Sequence, residues 1–563
     1  FNSGGNMEKR WLNSFPEGTP TEIDPDSYAS LVALFEDSCR RYADRPAYHN
    51  LGVTLCFRDL DRLSGQFAAY LGGLGLAQGD RVALMMPNLL QYPVALFGVL
   101  RAGLTVMNVN PLYTPRELRH QLTDSGARCI VIIENFAHVL SEVIAESAIE
   151  HIVITGVGDL AGFPKRTVVN FVVRRIRHLV PRYSLPGAVN FRGALARGAQ
   201  LELPKPSIGA EDIAFLQYTG GTTGVAKGAM LTHRNMVANV LQMAAFWKNI
   251  LEPGHDVMIT PLPMYHVFCL SCNCLLFLYE GGLNVLITNP RDIPAFVHEL
   301  RKWRMTMMTG VDTLYNALLN HPGFAGVDFS GLKLGVAGGM ALQRHTAEKW
   351  QAVARRPLVE GYGLTEASPV VAGNRYDVPR IGAVGLPLPS TEISIREANG
   401  EVPIGEAGEL YVRGPQVMRG YWRHEAATAD VLSPDGWLNT GDIAVMDEDG
   451  YLSIVDRKKD MIIVSGFKVF PNEIESVGAE HPAVLECGCI GVPDSHSGQV
   501  VKLFVVVREG ISISVDQLQE HFSARLTAYK RPKYFEFRRS LPKSNIGKIL
   551  RRELVREEST RAA

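Results

Sequence analysis

Short apolar runs alternate with amphipathic stretches through the first part of the chain. Four of these runs are almost continuously apolar: GDRVALMMP (79–87), GLTVMNVN (103–110), ARCIVIIE (127–134) and HIVIT (151–155). Strands with this pattern are buried on both faces, as in parallel sheets that are covered by helices. From about residue 30 to 330, the pattern therefore predicts α/β layers with mostly parallel strands.

The pattern changes twice in the second half of the chain. Between about residues 380 and 455, short alternating strands are separated by Gly/Pro turns, as in GELYVRGPQVMRGYW (408–422), which predicts a small β subdomain. After Lys459 the chain restarts with strand-like and helical segments, which predict a separate small α+β C-terminal domain. A chain of 563 residues is also too long for a single hydrophobic core.

Composition and charge narrow the function classes. The formal net charge of −1 argues against a nucleic-acid-binding protein, because such proteins are usually strongly basic. No apolar stretch reaches the roughly 18–20 residues that span a bilayer, and nothing near the N-terminus resembles a signal peptide. The eight cysteines, three of them in FCLSCNCLLF (268–277), are expected to be reduced, with that apolar cluster buried. We expect a cytoplasmic protein whose natural start is Met7, with residues 1–6 left over from cloning.

One segment, KRTVVNFVVRRIRHLVPRY (165–183), is strongly basic and interleaves its cations with apolar residues. A basic amphipathic helix can lie in a membrane interface, here at the inner face of the membrane. The alternatives are a surface helix packed on its own domain or on the second subunit of a homodimer. The sequence leaves these interpretations open.

The stretch YTGGTTGVAKGAMLT (218–232) places glycines, threonines and one lysine between a strand-like run and a helical one. Glycines allow backbone N–H groups to approach an anion, hydroxyls donate further hydrogen bonds, and Lys227 supplies a positive charge. The spacing of a P-loop is not met, because Lys227 lies between Ala226 and Gly228. Taken alone, the stretch is either a phosphate cradle or an ordinary turn between a strand and a helix.

Five motifs further along contain residue types that suit a nucleotide. They are VAGGM (336–340), EGYGLTEAS (360–368), WLNTGD (437–442), DRKKD (456–460) and LPKSNIGKILRREL (541–554). Each could be structural by itself, but in this order they resemble the acyl-adenylate-forming superfamily of acyl-CoA synthetases, luciferases and peptide-synthetase adenylation domains. The resemblance covers about residues 11–556.

Within that superfamily the chain looks closest to the bacterial long-chain fatty-acid–CoA ligases. The stretch DGWLNTGDIAVMDEDGYLSIVDRKKDMIIVSG (435–466) is similar to the signature of fatty-acyl-CoA synthetases. One departure is Asn439, where histidine is the commoner residue. Because asparagine still donates a hydrogen bond, we expect tuned rather than lost function.

The resemblance implies roles for individual residues. The expected ATP phosphate contacts are Thr219, Gly220, Gly221, Thr222, Thr223, Gly224 and Lys227. The expected nucleoside contacts are Gly338, Gly339, Gly361, Tyr362, Gly363, Thr365, Asp442 and Arg457, with adenine against Tyr362 and the ribose hydroxyls on Asp442. Glu366 and Thr219 are expected to hold Mg²⁺. The expected catalytic residues are Lys548, Glu366, Lys227 and His266.

The resemblance also implies two half-reactions and a mobile domain. A fatty carboxylate attacks the α-phosphate of ATP, with Lys548 bridging the two, and the acyl group then passes to coenzyme A. We expect an N-terminal domain over 7–457, a hinge at 458–460 that pivots at Lys459, and a mobile C-terminal domain over 461–563. After rotation, Gly466, Phe467 and Lys468 are expected to line the coenzyme A tunnel.

An apolar acyl tail is favoured by the residues around His266: Met264, Val267, Phe268 and Leu270. The expected substrates are a long-chain fatty acid, ATP and coenzyme A, which places the chain in fatty-acid metabolism and β-oxidation. A medium-chain or aryl-acid ligase remains an alternative. A fatty-acyl-AMP ligase is disfavoured because MIIVSGFKVFPNEIE (461–475) lacks an insertion, and a non-catalytic sensor because the expected catalytic residues are all present.

Overall fold

A computed structural model of the chain describes residues 9–219, 226–494, 496–544 and 546–562. Strands and helices are numbered in chain order over these residues. The architecture is mixed α/β, with a large N-terminal part and a small C-terminal part.

Two large sheets form the N-terminal part. In spatial order, the first contains β20 (Gly420–Tyr421), β9 (Lys227–Thr232), β8 (Ile213–Thr219), β4 (Thr105–Asn108), β3 (Arg81–Met85), β5 (Cys129–Ile133), β6 (His151–Thr155) and β7 (Val189–Asn190). The second contains β16 (Leu386–Pro387), β15 (Val370–Gly373), β14 (Leu358–Gly363), β13 (Leu334–Ala337), β12 (Met307–Gly310), β10 (Val257–Thr260), β11 (Leu283–Leu286), β1 (Pro46–Asn50) and β2 (Val53–Cys56).

The four apolar runs form β3, β4, β5 and β6, and they pair in parallel. Both sheets are parallel at their centres and gain antiparallel strands at their edges, as the β8–β9 and β14–β15 pairs illustrate. The predicted layered α/β architecture is therefore confirmed.

Two smaller sheets follow. The first contains β18 (Gly400–Glu401), β17 (Glu392–Glu397), β19 (Gly408–Arg413), β21 (Leu438–Met446) and β22 (Leu452–Arg457) and lies in the region of the predicted β subdomain. The prediction was wrong for β16 and β20, which fall in the same range but pair with strands of the two large sheets. The second contains β24 (Phe467–Val469), β23 (Ile462–Val464), β26 (Gly498–Val507) and β25 (Val484–Asp494), with β27 (Tyr534–Phe537) paired to β26. The last sheet has its own buried core, which includes Ile474, Leu503 and Phe522, as a separate small domain requires.

Helices cover the faces of the sheets. In the N-terminal part they are α1 (Leu31–Arg41), α2 (Phe57–Gly72), α3 (Gln91–Arg101), α4 (Pro115–Ser125), α5 (Ala137–Val143), α6 (Lys165–Phe171), α7 (Phe191–Gly198), α8 (His233–Phe246), α9 (Val267–Cys269), α10 (Leu276–Tyr279), α11 (Ile293–Leu300), α12 (Asp312–Leu319), α13 (Arg344–Ala354) and α14 (Glu425–Val431). The C-terminal part has α15 (Pro471–Ala479), α16 (Val515–Ser523) and α17 (Arg551–Ala562). Every residue of α3 is buried. This is expected for a helix whose side chains are largely apolar on every face.

The basic segment differs from the helix predicted over 165–183. Helix α6 passes into a π-helical turn, Val172–Ile176, and the helical backbone stops there. His178 adopts a left-handed backbone with φ of 51°, a conformation that commonly closes a helix, and Pro181 follows. Among the described residues, no helix is both long and apolar enough to cross a membrane.

Candidate functional site

Asp442 lies where the sheet of the β subdomain meets the second large sheet. Its Oδ2 accepts a hydrogen bond from the Tyr362 hydroxyl at 2.6 Å, and its Oδ1 lies 3.0 Å from Nε of Arg457. The Asp442 side chain is almost fully buried. The three residues come from β14, β21 and β22, so strands fix a carboxylate that retains lone pairs for two further donors, as a ribose diol requires.

The turn before Asp442 is organised by Asn439. The Asn439 Oδ1 accepts a hydrogen bond from the Gly441 backbone N–H at 2.9 Å, and its Nδ2 donates to the Tyr411 hydroxyl at 3.1 Å. Gly441 has a φ of 70°, a left-handed conformation that glycine adopts without strain. The unusual asparagine of this motif therefore shapes the turn that presents the carboxylate.

The expected adenine surface is tightly packed. A Cβ on Gly363 would lie 2.3 Å from the Pro369 carbonyl oxygen, so only glycine fits between these backbones. A Cβ on Gly338 would meet the Phe268 ring at 3.0 Å. Gly361 and Tyr362 lie on β14, and Thr365 opens the short 3-10 helix that follows.

Glu366 and Lys227 are linked through Tyr421, which lies outside the motifs expected to bind the nucleotide. The Tyr421 hydroxyl donates to Oε1 of Glu366 at 2.7 Å, and Nζ of Lys227 lies 5.4 Å from the centre of the Tyr421 ring. Lys227 also pairs across the hairpin with Thr219. Gly220, Gly221, Thr222, Thr223 and Gly224 lie outside the described residues.

A single carboxylate suits Mg²⁺ in this setting. Among the described residues, no group of three or more His, Cys, Asp or Glu side chains is placed to hold a metal. Mg²⁺ is usually bound through one or two carboxylates together with substrate phosphates, so Glu366 beside the Thr219–Lys227 hairpin fits that ion.

Lys548 is brought to this pocket by a tight turn of the C-terminal part. The Gly547 carbonyl accepts a hydrogen bond from the Thr313 hydroxyl at 3.1 Å, and a Cβ on Gly339 would meet Ile546 at 3.4 Å. Burial, and next the positive charge of Arg457, lower the pKa of Lys548 to about 8. Asp442 acts in the opposite direction, so both charged residues of the pocket influence this ammonium.

His266 is within reach of the charge of Lys548. Burial, followed by the charge of Lys548, lowers the pKa of His266 to about 4, so the imidazole is neutral at pH 7. Its Nδ1 accepts the backbone N–H of Phe268 at 3.3 Å. The proton of the neutral ring is therefore on Nε2, which leaves a hydrogen-bond donor beside an apolar segment.

The residues expected to bind coenzyme A make other contacts in this orientation. Nζ of Lys468 lies 3.1 Å from Oε1 of Glu397 in the β subdomain, and the Phe467 ring stacks on Tyr529 at 4.7 Å. Lys459 is exposed within the short 3-10 helix Lys458–Asp460. The structure thus brings Lys548, but not Gly466, Phe467 and Lys468, to the Asp442 pocket.

Comparisons with known proteins agree with this arrangement. The AMP-binding enzyme family matches residues 35–422, and the AMP-binding enzyme C-terminal domain matches residues 473–548. The chain belongs to the AMP-binding enzyme family. The long-chain-fatty-acid–CoA ligase of Yersinia pestis is 58% identical to this chain, over 98% of both sequences. The long-chain-fatty-acid–CoA ligase of Haemophilus influenzae is 53% identical, over 98% of this chain and 99% of its own length. A relative of the same name from Bacillus subtilis is 38% identical over 98% of both chains.

Solved structures show the same fold in related enzymes. The anthranilate CoA ligase AuaEII in complex with anthranoyl-AMP has a TM-score of 0.83 at 25% identity, covering 95% of this chain and 99% of that one. ATP-bound MatB from Rhodopseudomonas palustris has a TM-score of 0.77 at 29% identity, covering 94% and 99%. The family therefore includes proteins that bind an acyl-adenylate or ATP.

Proposed function

We propose that this chain is an AMP-forming ligase that activates long-chain fatty acids to acyl-CoA through an acyl-adenylate. The observation that carries the proposal is the position of Lys548, which one domain contributes to the Tyr362–Asp442–Arg457 pocket of the other. Long-chain fatty acids are supported as the substrate class because more than half of the aligned positions are identical to those of proteins named long-chain-fatty-acid–CoA ligases.

In the first half-reaction, an oxygen of the fatty carboxylate forms a bond to the α-phosphorus while the bond to pyrophosphate breaks. Negative charge grows on the phosphoryl oxygens, so positioning and positive charge dominate catalysis. Lys548, still largely protonated at pH 7, contacts the carboxylate and the α-phosphate. Lys227 and residues 219–224 hold the departing pyrophosphate. Tyr362, Gly338 and Gly339 hold adenine, and Asp442 with Arg457 holds the ribose. Glu366 and Thr219 would hold Mg²⁺, which would neutralise phosphate charge.

In the second half-reaction, the coenzyme A thiol loses its proton, its sulfur bonds to the acyl carbon, and AMP leaves. We propose that rotation at 458–460, about Lys459, withdraws Lys548 and brings Gly466, Phe467 and Lys468 to the tunnel. The ion pair between Lys468 and Glu397 must break for this to happen. The His266 ring, which is within reach of the charge of Lys548, is proposed to change position as Lys548 leaves.

The acyl tail is proposed to extend from His266 along apolar residues such as Val267 and Phe268. A 34% identical feruloyl-CoA synthase of Amycolatopsis covers 90% of this chain, so an aryl-acid ligase is the competing interpretation. The acyl-CoA product is suited to β-oxidation.

The test is release of AMP and of pyrophosphate with ATP, Mg²⁺ and coenzyme A, over straight-chain acids of two to eighteen carbons and over aromatic acids. We expect turnover to peak at long chains in the wild type, and Lys548→Ala to lose adenylation by about 100- to 1000-fold, as when one charge-stabilising contact is removed. Lys543→Ala is the matched control, because Lys543 is in the same turn but pairs with Glu486 of its own domain. A peak at aromatic acids would establish the aryl-acid alternative, and pyrophosphate release without AMP release would indicate another acceptor.

We also propose that the exposed surface at 163–183 binds an anionic membrane from the cytoplasmic side. Its exposed apolar side chains are Phe163, Val168, Phe171, Ile176 and Leu179, and Phe163 is 81% exposed. Arg175, Arg177 and Arg182 are exposed beside them. Cations next to apolar side chains match anionic headgroups above an acyl layer.

The structure refines which cations to test. Arg174 pairs with the buried carboxylate of Glu134 at 2.7 Å and so anchors the segment to the N-terminal domain. Arg175→Gln with Arg177→Gln should reduce binding to phosphatidylglycerol vesicles and leave turnover of short soluble acids intact. Arg291→Gln with Arg539→Gln, two exposed arginines elsewhere, controls for net charge. Equal vesicle binding by all three proteins would contradict the proposal, and loss of a dimer in sedimentation would identify the surface as a subunit interface.

A further inference from the structure

The guanidinium of Arg551 is surrounded by acidic and amide side chains, some from before the proposed hinge in the chain and some from after it. Arg551, at the start of α17, lies 2.9 Å (Nε) and 2.7 Å (Nη2) from the two carboxylate oxygens of Glu475. Its Nη1 donates to Oδ1 of Asp456 at 3.0 Å and lies 3.4 Å from Oδ2 of Asp460. Its Nη2 also donates to the Asn472 side chain. All three nitrogens are therefore engaged.

Asp456 is the buried member of this group, with its side chain only 1% exposed. Besides Arg551, it accepts the Asn472 backbone N–H on Oδ2 at 2.7 Å. The Asn472 side chain in turn donates to the Val455 carbonyl at 3.1 Å. Asn472 and Arg551 of the C-terminal domain thus bind the end of strand β22, which belongs to the N-terminal domain.

A rotation about Lys459 would keep some partners of Arg551 in contact with it and separate others. Glu475 and Asn472 lie after the pivot, as Arg551 does, so their contacts with Arg551 move as one body. Asp456 lies before the pivot and would stay behind. Its contacts with Arg551 and Asn472 are therefore specific to this orientation, and Arg551 is three residues from Lys548.

We propose that Asp456 is a positioning residue that holds the C-terminal domain in the orientation that places Lys548 in the Asp442 pocket. The proposal rests on the proposed two-step function and its hinge. This buried carboxylate stabilises the present orientation, because rotation would leave it without its charged partner Arg551, although the hydrogen bond from the Arg457 backbone N–H would remain. Asp456 favours adenylation and opposes the rotation that admits coenzyme A.

The experiment separates the half-reactions. We expect Asp456→Asn to slow pyrophosphate release by about tenfold, within the usual range of coupling between sites, whereas thioester formation from preformed acyl-AMP and coenzyme A is unchanged or faster. Asn472→Ala should give a smaller split in the same direction. Glu473→Gln is the matched control, because Glu473 is on the same helix but pairs with Lys530 inside the C-terminal domain, so both rates should be unchanged.

A second readout needs no activity. Because the exposed Lys458 and Lys459 lie in the hinge, Asp456→Asn should accelerate tryptic cleavage after them, whereas Glu473→Gln should not. If the wild type forms no acyl-CoA, the proposed function fails and the cleavage rate alone decides on Asp456. Equal slowing of both half-reactions, or cleavage at the wild-type rate, would overturn the proposal.

Discussion

The two halves of the candidate site are built differently. Asp442 and Arg457 are on the paired strands β21 and β22, and Tyr362, on β14 of a different sheet, bonds to Asp442, so this side is assembled before any ligand arrives. Lys548 is on a turn closed by its own hydrogen bonds, in which Ser544 N–H donates to the Lys548 carbonyl at 2.7 Å. That turn contacts the other domain through Ile546 and Gly547.

This difference matches two chemical demands. A nucleotide must be held in one position through both half-reactions, and a rigid strand platform provides that. A cation needed only for the first step is better carried on an element that docks through few contacts. The comparison predicts that damage to the strand side weakens nucleotide binding, whereas damage to the turn affects adenylation alone.

Asp442→Asn should have the largest effect on the strand side. It weakens the bonds to ribose and removes the charge partner of Arg457, so kcat/KM for ATP should fall by about 100-fold, or roughly 2.7 kcal/mol, which is within the usual range for one hydrogen bond to a charged group. Both half-reactions should suffer, because the adenylate uses the same contacts. Asp447→Asn, in the same subdomain but paired with Arg380 at the surface, is the control. A change of less than twofold in Asp442→Asn would show that this carboxylate does not contact the nucleotide.

Gly547→Ala tests the docking turn. Gly547 has a φ of 92°, and a Cβ there would lie 2.8 Å from the Thr313 hydroxyl, so alanine is both strained and obstructed. We expect adenylation to fall by about tenfold, because a Cβ at this position would push the turn away from Thr313 and move Lys548 out of place. Thioester formation from acyl-AMP should be spared.

Gly510→Ala supplies the control for backbone strain. Gly510 has a φ of 76° in the same domain, but no described atom lies within 4 Å of the position that a Cβ would take there. The substitution should lower the melting temperature about as much as Gly547→Ala and leave adenylation unchanged. Equal adenylation rates in the two variants would mean that the contact with Thr313 does not position Lys548.

The sequence could predict the features that depend on residues close along the chain, but not the contacts between distant positions. The buried strands β3 to β6 were predictable because each is a continuous apolar run, and the motifs on β14, β21 and β22 were predictable because their residues are close along the chain. Tyr421 was missed because it reaches Glu366 only through the short pairing of β20 with β9, which no local pattern indicates. Asp456 and Arg551 lie inside quoted motifs, but their contact joins positions 95 residues apart.

The pH profile of adenylation has the smallest expected effect, but it tests the turn that carries Lys548 most specifically. Because burial lowers the pKa of Lys548 to about 8, the side chain is an ammonium below that pH and loses its charge above it. The kcat/KM for adenylation should therefore decline as pH rises through about 8, whereas kcat should decline at higher pH, since bound phosphates stabilise the ammonium. Lys548→Arg, which remains charged throughout, should be slower but flat from about pH 7 to 10. An identical decline in that variant would assign the titration to a group other than Lys548.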